Sequence, residues 1–225
     1  MTKHHPDSAT QVMGNRHDYL PAFGNDLLLP GYDLLTRSLG VPRAHTRLID
    51  QAGLEDGHRV LEIGCGTGNL TIRAKHTRPG ATVIGSDPDP KALAVAVRKA
   101  HGLSEIRFER GYGQELPYAD GEFDRVLSSL MFHHLDAEVK AGVAAEALRV
   151  LRPGGRLHLL DIGGEMTAAD GVAARLSLRT GHLSGNLGDA IPRLLRETGF
   201  DCTVIASERH RLLGRLTYYR AIRPA

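Results

Sequence analysis

Short β-rich runs alternate with helical segments along the middle of this chain, and this alternation constrains the fold more than any other feature. Five such runs recur about every 20 to 30 residues, and stretches with helical periodicity separate them. The runs are Arg59–Ile63, Ala81–Gly85, Ile106–Glu109, Phe123–Ser128 and Arg156–Asp161. Connections of that length carry crossovers between parallel strands, so the pattern predicts a parallel α/β sheet with helices on both faces.

Local signals mark where the helices begin and where the pattern changes. Pro42 suits the first turn of a helix, and Asp89 and Asp136 suit helix N-caps. Near the end of the chain, the strand-like runs Cys202–Ser207 and Leu216–Ile222 have only a short link between them. A link that short excludes a helical crossover and therefore predicts an antiparallel hairpin.

The flanking regions suggest a domain organisation. Residues 1–17 are polar and without sustained periodicity, which predicts a flexible tail. Residues 18–54 mix apolar runs with Pro and Gly, and we expect them to form an N-terminal helical cap. Residues 55–225 would form one α/β domain, in which the Gly-, Ala- and Ser-rich segment 162–190 is a candidate lid insertion.

Composition excludes several classes of protein. The chain has 28 Lys and Arg against 26 Asp and Glu, with both signs interspersed, and no Trp. It therefore predicts neither a nucleic-acid groove nor a base-stacking platform. Two cysteines, Cys65 and Cys202, favour a reducing compartment over a disulfide framework. No apolar run reaches the length of a membrane span, and the N-terminus lacks an apolar export core, so we expect a cytoplasmic protein.

The strongest chemical signal is the glycine-rich loop within Val60–Gly68, which follows the first strand. Gly64, Gly66 and Gly68 permit positive φ and the close approach of a ligand to the backbone. The dinucleotide fingerprint needs Gly-x-Gly-x-x-Gly, whereas here Asn69 follows the third glycine. The loop therefore predicts a ligand site at the carboxyl edge of the sheet, but one not built for a pyrophosphate.

Two acidic residues beside this loop narrow the choice of ligand. Glu62 stands two residues before Gly64, where a carboxylate repels a pyrophosphate and attracts an ammonium group. Asp87 ends the second strand, where a carboxylate can accept both hydroxyls of a ribose. A ligand with a ribose and a positive charge but no phosphate satisfies both residues, and S-adenosylmethionine is such a ligand.

Five segments in order resemble the class I S-adenosylmethionine-dependent methyltransferases. They are VLEIGCGTGNL, VIGSDPDPKAL, GQELPYADGEFDRVLSS, HHL and ALRVLRPGGRLHLLD, within roughly residues 55–161, about half of the chain. The likeness is strongest to the branch that includes ubiquinone- and menaquinone-biosynthesis and many small-molecule methyltransferases. It implies a Rossmann-like, doubly wound sheet of seven strands, mostly parallel with an antiparallel C-terminal strand. It also implies S-adenosyl-L-methionine as cofactor, S-adenosyl-L-homocysteine as product and a small-molecule acceptor.

The resemblance assigns roles to matching residues. It implies that the cofactor is bound by Glu62, Gly64, Gly66, Gly68, Asp87, Pro88, Gly113, Gln114 and Ser129. Glu62 and the glycine backbone would hold the methionine part, Asp87 the ribose, and Pro88 would pack beside the adenine. Ser129 would lie under the methionine end. Tyr112 stands where the family often has an acid that binds the adenine amino group, so only backbone contacts from the next two residues are expected there.

Two histidines and three aromatic residues are candidates for the acceptor side. His133 and His134 follow the fourth strand, and either could accept a proton from an acceptor or shape the pocket. No Cys, Asp or Glu stands at metal-ligand spacing from this pair, so no metal site is expected. Tyr19, Phe23 and Tyr32 could line the substrate pocket or be ordinary core aromatics.

The predicted function is transfer of a methyl group from S-adenosylmethionine to a small-molecule O, N or C acceptor by in-line displacement. An NAD(P)-dependent oxidoreductase would keep the fold, but the glycine spacing and Glu62 oppose it. A non-catalytic binding module with the same fold is favoured only by Tyr112. A nucleic-acid methyltransferase needs a flipped-base motif such as Asn-Pro-Pro-Tyr after strand four, where this chain has the sequence Ser-Ser-Leu-Met.

Overall fold

The computed structural model describes residues 40–181 and 183–225. The α-helices there are α1 Val41–Ala52, α2 Asn69–Thr77, α3 Pro90–Lys99, α4 Ala137–Val150, α5 Val172–Thr180 and α6 Ala190–Thr198. The strands are β1 Arg59–Ile63, β2 Thr82–Asp87, β3 Ile106–Arg110, β4 Phe123–Ser129, β5 Leu151–Ile162, β6 Asp201–His210 and β7 Gly214–Ile222. Over these two ranges, none of the helices combines the length and the apolar character needed to span a bilayer.

The strands of the described residues form one seven-stranded sheet in the order β3-β2-β1-β4-β5-β7-β6. Strands β1 to β5 pair in parallel, and β7 runs antiparallel between β5 and β6. The predicted fold class is confirmed, including the antiparallel hairpin at the end of the chain. Strand order changes direction at β1 and β4, so the connections that follow them diverge and leave a crevice at the carboxyl edge.

Each face of the sheet packs on its own set of helices. Leu61 and Val126 point to the face covered by α4 and α6, and they share one buried cluster with these helices. Val60 and Leu127 point to the opposite face, where they pack with α1 and α2. This alternation along β1 and β4 buries both faces of the strands, so nearly every residue of the two strands is buried.

The helix signals read from the sequence are largely confirmed. The carboxylates of Asp89 and Asp136 accept from the backbone N–H groups of Lys91 and Val139 at 2.8 and 2.9 Å, capping α3 and α4. Pro42 lies in the first turn of α1. These caps depend on residues only two or three positions apart, so a local pattern is sufficient to predict them.

The start of β5 was predicted wrongly. The strand begins at Leu151, not at Arg156, because Leu151 already pairs with Phe123 of β4. The residues between remain tied to the end of the chain, since Gly154 N–H donates to Arg223 O at 2.9 Å. A Pro-Gly-Gly stretch that looks like a turn therefore stays paired, with a shift in the β4–β5 register.

The predicted cap, tail and lid are described only in part. Residues 1–39, which include Tyr19, Phe23 and Tyr32, lie outside the described residues. The described part of the cap is α1, whose residue Ala52 accepts a hydrogen bond from Arg125 Nε at 2.8 Å. Segment 162–190 contains α5 and two short 3₁₀ turns, Ala168–Asp170 and Ser184–Asn186. Its role as a lid remains a prediction.

Candidate functional site

The loop between β1 and α2 is held against the end of β2 by two backbone hydrogen bonds. The N–H groups of Gly64 and Cys65 donate to Ser86 O at 2.9 and 3.1 Å. Gly64 has φ 75°, and a Cβ atom there would lie 2.6 Å from Cγ of Met131. Gly66 has φ 50°, but a Cβ there would meet nothing within 4 Å. Both conformations favour glycine, and the space beside Gly66 leaves the backbone open to a ligand.

The other two glycines of the predicted set serve close packing. Gly68 precedes α2, and a Cβ there would lie 2.8 Å from the ring of Phe108 on β3. Gly113 follows β3, and a Cβ there would lie 2.8 Å from Cγ2 of Ile63 at the end of β1. These positions let α2 and the segment after β3 approach the crevice closely.

Asp87 lies at the end of β2, directly beside the glycine loop. Its Oδ2 accepts from Gly66 N–H at 2.7 Å, and its Oδ1 accepts from Asp89 N–H at 2.9 Å. Burial raises the pKa of this carboxyl. Each oxygen keeps a second lone pair, so the carboxylate can accept two further hydrogen bonds from neighbouring hydroxyls. Pro88, the next residue, accepts a hydrogen bond from Arg110 Nε through its carbonyl at 3.2 Å.

Glu62 lies beneath the loop and not at its rim. The residue is only 2% exposed, and its carboxyl accepts a hydrogen bond from the Thr71 hydroxyl on α2. Burial raises the pKa of Glu62 to about 8, and the neighbouring Asp87 contributes to the rise. Within the described ranges, no Lys, Arg or His forms an ion pair with Glu62. A buried carboxyl without a cationic partner fits a ligand that carries an ammonium group.

The segment after β3 runs past the ends of β2 and β1. Gly111 N–H donates to Asp87 O at 3.2 Å, which places Tyr112 immediately after a contact with β2. Gln114 packs against α4, because a Cβ on Gly142 would lie 2.8 Å from its Cβ. The structure therefore brings the predicted positions after β3 to the same crevice as the glycine loop.

The two serines at the end of β4 face different neighbours. Ser128 Oγ donates to Ile63 O at 3.0 Å, at the end of β1. The Ser129 hydroxyl lies 3.0 Å from Nε2 of His45 on α1. Burial lowers the pKa of His45 to about 4, so this imidazole is neutral. Ser129, which the resemblance places under the methionine end, thus directs its hydroxyl to α1.

The two candidate histidines have different surroundings. His133 Nδ1 lies 2.6 Å from Oδ1 of Asp161, and its side chain is 12% exposed. His134 is exposed, with its ring 3.9 Å from that of His133. Asp161 lies at the end of β5 and is 1% exposed. The sequence analysis did not select Asp161 as a site residue, although an acid at the carboxyl end of a central strand is the same signal that identified Asp87.

A buried polar contact anchors the segment that follows β5. Lys140 Nζ on α4 donates to Asn186 Oδ1 at 2.6 Å, and Asn186 Nδ2 donates to Ile162 O at 3.0 Å. Gly164 N–H donates to Asn186 O at 2.8 Å. These contacts tie segment 162–190 to the end of β5, next to Asp161, and the sequence analysis did not anticipate them.

The cysteines do not have the properties of nucleophiles. Cys65 and Cys202 are buried free thiols, and burial raises the pKa of each, that of Cys202 to about 11. Both therefore remain protonated near neutral pH. Within residues 40–181 and 183–225, no three His, Cys, Asp or Glu side chains are grouped so that they could hold a metal ion.

The sequence is similar to known methyltransferases over most of its length. A family model described as a methyltransferase domain matches residues 60–155. The demethylmenaquinone methyltransferase of Thermus thermophilus is 36% identical over 171 residues, which cover 72% of this chain and 77% of that protein. The demethylmenaquinone methyltransferase of Deinococcus radiodurans is 36% identical over 198 residues, which cover 77% of this chain and 81% of that protein.

Solved structures share the fold at lower identity. Phosphoethanolamine N-methyltransferase 2 of Haemonchus contortus, in complex with S-adenosyl-L-methionine, matches with a TM-score of 0.72 and 17% identity, covering 92% of this chain and 60% of that chain. The YcgJ protein of Bacillus subtilis matches with a TM-score of 0.66 and 18% identity, covering 81% and 99%. Two relatives are 36% identical and are matched over 77% and 81% of their length. The sheet order and the glycine loop agree with the family of those relatives. The chain belongs to the class I S-adenosylmethionine-dependent methyltransferases.

Proposed function

We propose that this chain transfers the methyl group of S-adenosylmethionine to a small-molecule O, N or C acceptor by in-line displacement. The observation that carries the proposal is the Asp87 carboxylate bonded to Gly66 N–H at 2.7 Å, with the buried Glu62 near enough for the two carboxyls to interact electrostatically. The name demethylmenaquinone methyltransferase, borne by two relatives, supports a small-molecule acceptor for this chain. When bound, S-adenosylmethionine supplies an electrophilic methyl group on a positively charged sulfur.

The residues on the donor side fit that ligand in charge and hydrogen bonding. Asp87 keeps one acceptor position on each oxygen after its two backbone contacts, which suits the two hydroxyls of a ribose. Glu62 can ionise when an ammonium group lies near it, because the ligand then supplies the cation that the site lacks. The backbone beside Gly66 is open to the ligand. No residue in this set would attract a pyrophosphate.

The acceptor side would be formed by the ends of β4 and β5. His133 lies there, and segment 162–190 is anchored there through Asn186. Sulfonium is a good leaving group, so alignment is the main task of the protein, and near-attack geometry can remove about 7–11 kcal/mol from a barrier. Our proposal assigns to segment 162–190 the exclusion of water from the aligned reactants.

Calorimetry on the purified full chain tests the donor side. We expect S-adenosylmethionine and S-adenosylhomocysteine to bind in the range of roughly 1 μM to 1 mM that is typical of enzyme substrates. The absence of binding by both would refute the proposal. A change in NADH fluorescence on mixing would instead support the oxidoreductase alternative.

A panel of acceptors tests methyl transfer and the class of the acceptor. Small phenols, alcohols, amines and enolisable carbonyl compounds would be incubated with protein and S-adenosylmethionine, with DNA and RNA included as comparison, and products identified by mass spectrometry. We expect a methylated small molecule. Binding of the donor without any methylated product would favour the non-catalytic module, and methylated nucleic acid would contradict a small-molecule acceptor.

A further inference from the structure

We propose that Asp161 is a positioning residue that holds the His133 imidazole with its proton on Nδ1, so that Nε2 accepts a proton from the methyl acceptor. The inference rests on the proposed function and deepens it. It assigns the acceptor to the protic class, in which a hydroxyl or amine loses its proton during methyl transfer.

The hydrogen bonds around Asp161 determine which nitrogen of His133 carries the proton. Oδ1 accepts from Ile162 N–H at 2.7 Å, and Oδ2 lies 3.3 Å from His133 N–H, so two backbone donors orient the carboxylate. The remaining contact is the 2.6 Å separation between Oδ1 and Nδ1 of His133. An ionised carboxylate can only accept, so Nδ1 must be the protonated nitrogen, and Nε2 keeps its lone pair.

The topology brings the two residues together at the carboxyl ends of neighbouring strands. Strands β4 and β5 pair in parallel, with Ser129 opposite Leu160, so their carboxyl ends emerge side by side. Asp161 follows Leu160 directly, and His133 lies in the short turn that follows β4. Met131, at the start of that turn, packs on Gly64 of the donor loop. His133 is therefore carried by a turn that touches the donor loop.

Other charged and titratable groups around Asp161 are already engaged elsewhere. Lys140 of α4 is close enough for its charge to interact with Asp161, but its Nζ bonds to Asn186. Tyr219 of β7 is buried beside Asp161, and burial raises the pKa of its hydroxyl. The His134 ring contacts that of His133, with a centroid distance of 3.9 Å and an angle of 40° between the ring planes. Among side chains of the described residues, the His133 imidazole is the one whose donor reaches the Asp161 carboxylate.

The proton and the electrons balance in this arrangement. The O–H or N–H proton of the acceptor moves to Nε2 of His133, which becomes an imidazolium. The electron pair left on the acceptor forms the bond to the methyl carbon, and the electrons of the carbon–sulfur bond stay on sulfur. Asp161 stabilises the imidazolium through the existing Nδ1 hydrogen bond, and the Nε2 proton passes to solvent once the product has left.

Nuclear magnetic resonance of the full chain, labelled with ¹⁵N-histidine, tests the positioning role without any acceptor. We expect the neutral form of His133 in the wild type to be protonated on Nδ1. In Asp161→Asn, the Nδ1 tautomer should lose its dominance. Asp170→Asn is the matched control, because it also removes a buried carboxylate, one that bonds to Arg215 and not to His133. A wild-type His133 protonated on Nε2 would overturn the proposal. This measurement uses the wild-type protein alone, so it does not depend on whether a variant folds.

Kinetics with an acceptor from the panel test the consequence for catalysis. We expect Asp161→Asn to lower kcat by about 100-fold, the lower end of the range for general acid–base effects, with the KM for S-adenosylmethionine unchanged. The acidic limb of the kcat/KM profile should move to lower pH. An unchanged kcat or an unmoved limb would contradict the role of Asp161. Failure of donor binding would refute the proposed function instead, and the tautomer measurement would still decide the arrangement of His133 and Asp161.

Discussion

Replacing Asp87 by Ala is the most direct test of how the donor site recognises its ligand. Each carboxylate oxygen accepts one backbone N–H, at 2.7 and 2.9 Å, and keeps one further acceptor position. A ribose bound there would make charge-assisted hydrogen bonds worth about 1.5–3 kcal/mol each. Losing one of them weakens binding by about 10- to 150-fold, since 1.4 kcal/mol corresponds to about a factor of ten. This is a lower bound, because the variant loses the acceptors for both ribose hydroxyls and the estimate counts one.

Titration calorimetry with S-adenosylhomocysteine would compare wild type, Asp87→Ala and the control Asp89→Asn. The control removes a negative charge two residues away, but the new amide oxygen can still cap α3 by accepting from Lys91 N–H. We expect a large loss of affinity in Asp87→Ala and a small one in Asp89→Asn. Circular dichroism melting curves would verify that both variants are folded.

Two results would refute the reasoning. Unchanged affinity in Asp87→Ala would remove this carboxylate from the site. Equal losses in both variants would show that the site responds to overall negative charge and not to a directed pair of acceptors. In either case the ribose would have to be recognised elsewhere along the crevice.

Two further predictions concern buried side chains whose pKa is shifted from the usual value. Because burial raises the pKa of Glu62 to about 8, binding of an ammonium ligand that needs the carboxylate should release a proton at pH 7, and Glu62→Gln should abolish that release. Calorimetry in buffers of different ionisation enthalpy measures the number of protons released. Equal proton release in the wild type and the variant would contradict the prediction. Burial, assisted by Arg125, lowers the pKa of His158 from 6.5 to about 3, so the unfolded chain binds a proton there that the folded chain does not, and stability falls as pH decreases below 6.5. Between pH 7 and pH 5 this group accounts for a loss of about 2 kcal/mol in the free energy of unfolding. In urea unfolding, His158→Leu should lose about 2 kcal/mol less unfolding free energy between pH 7 and pH 5 than the wild type does. An unchanged pH dependence of stability in the variant would show that other groups control it.

The parts of the site that the sequence analysis identified are those that follow from local patterns and one rule of topology. Gly64 and Gly66 follow directly after a strand, and positive φ at such a turn favours glycine. Asp87 ends the next strand in sequence, and the carboxyl ends of parallel neighbours meet at one edge. The 2.7 Å contact between Asp87 and Gly66 N–H confirms that this rule was sufficient to bring them together.

The contacts that the sequence analysis did not predict depend on side-chain direction and on packing between separate elements. Glu62 lies in a strand buried on both faces, where the pattern of apolar residues does not reveal that its carboxyl lies under α2. Ser129 turns its hydroxyl to His45, a contact across 84 residues that depends on how α1 packs. The contact between Lys140 and Asn186 likewise joins α4 to a 3₁₀ turn 46 residues away. No local signal in the sequence encodes any of these contacts.

The difference between Glu62 and Asp161 gives the two ends of the crevice different chemistry. Both carboxyls are almost completely buried, at 2% and 1% exposure. Glu62 accepts hydrogen bonds from Thr71 and still has a raised pKa, so its negative charge becomes favourable only when a ligand brings a positive one. Asp161 already has two backbone N–H groups and an imidazole N–H directed at it, so its charge is stabilised before any ligand arrives. It follows that Glu62 should respond to the binding of the donor, whereas Asp161 should act on the acceptor through His133, and substitutions at the two positions should therefore affect binding and turnover separately.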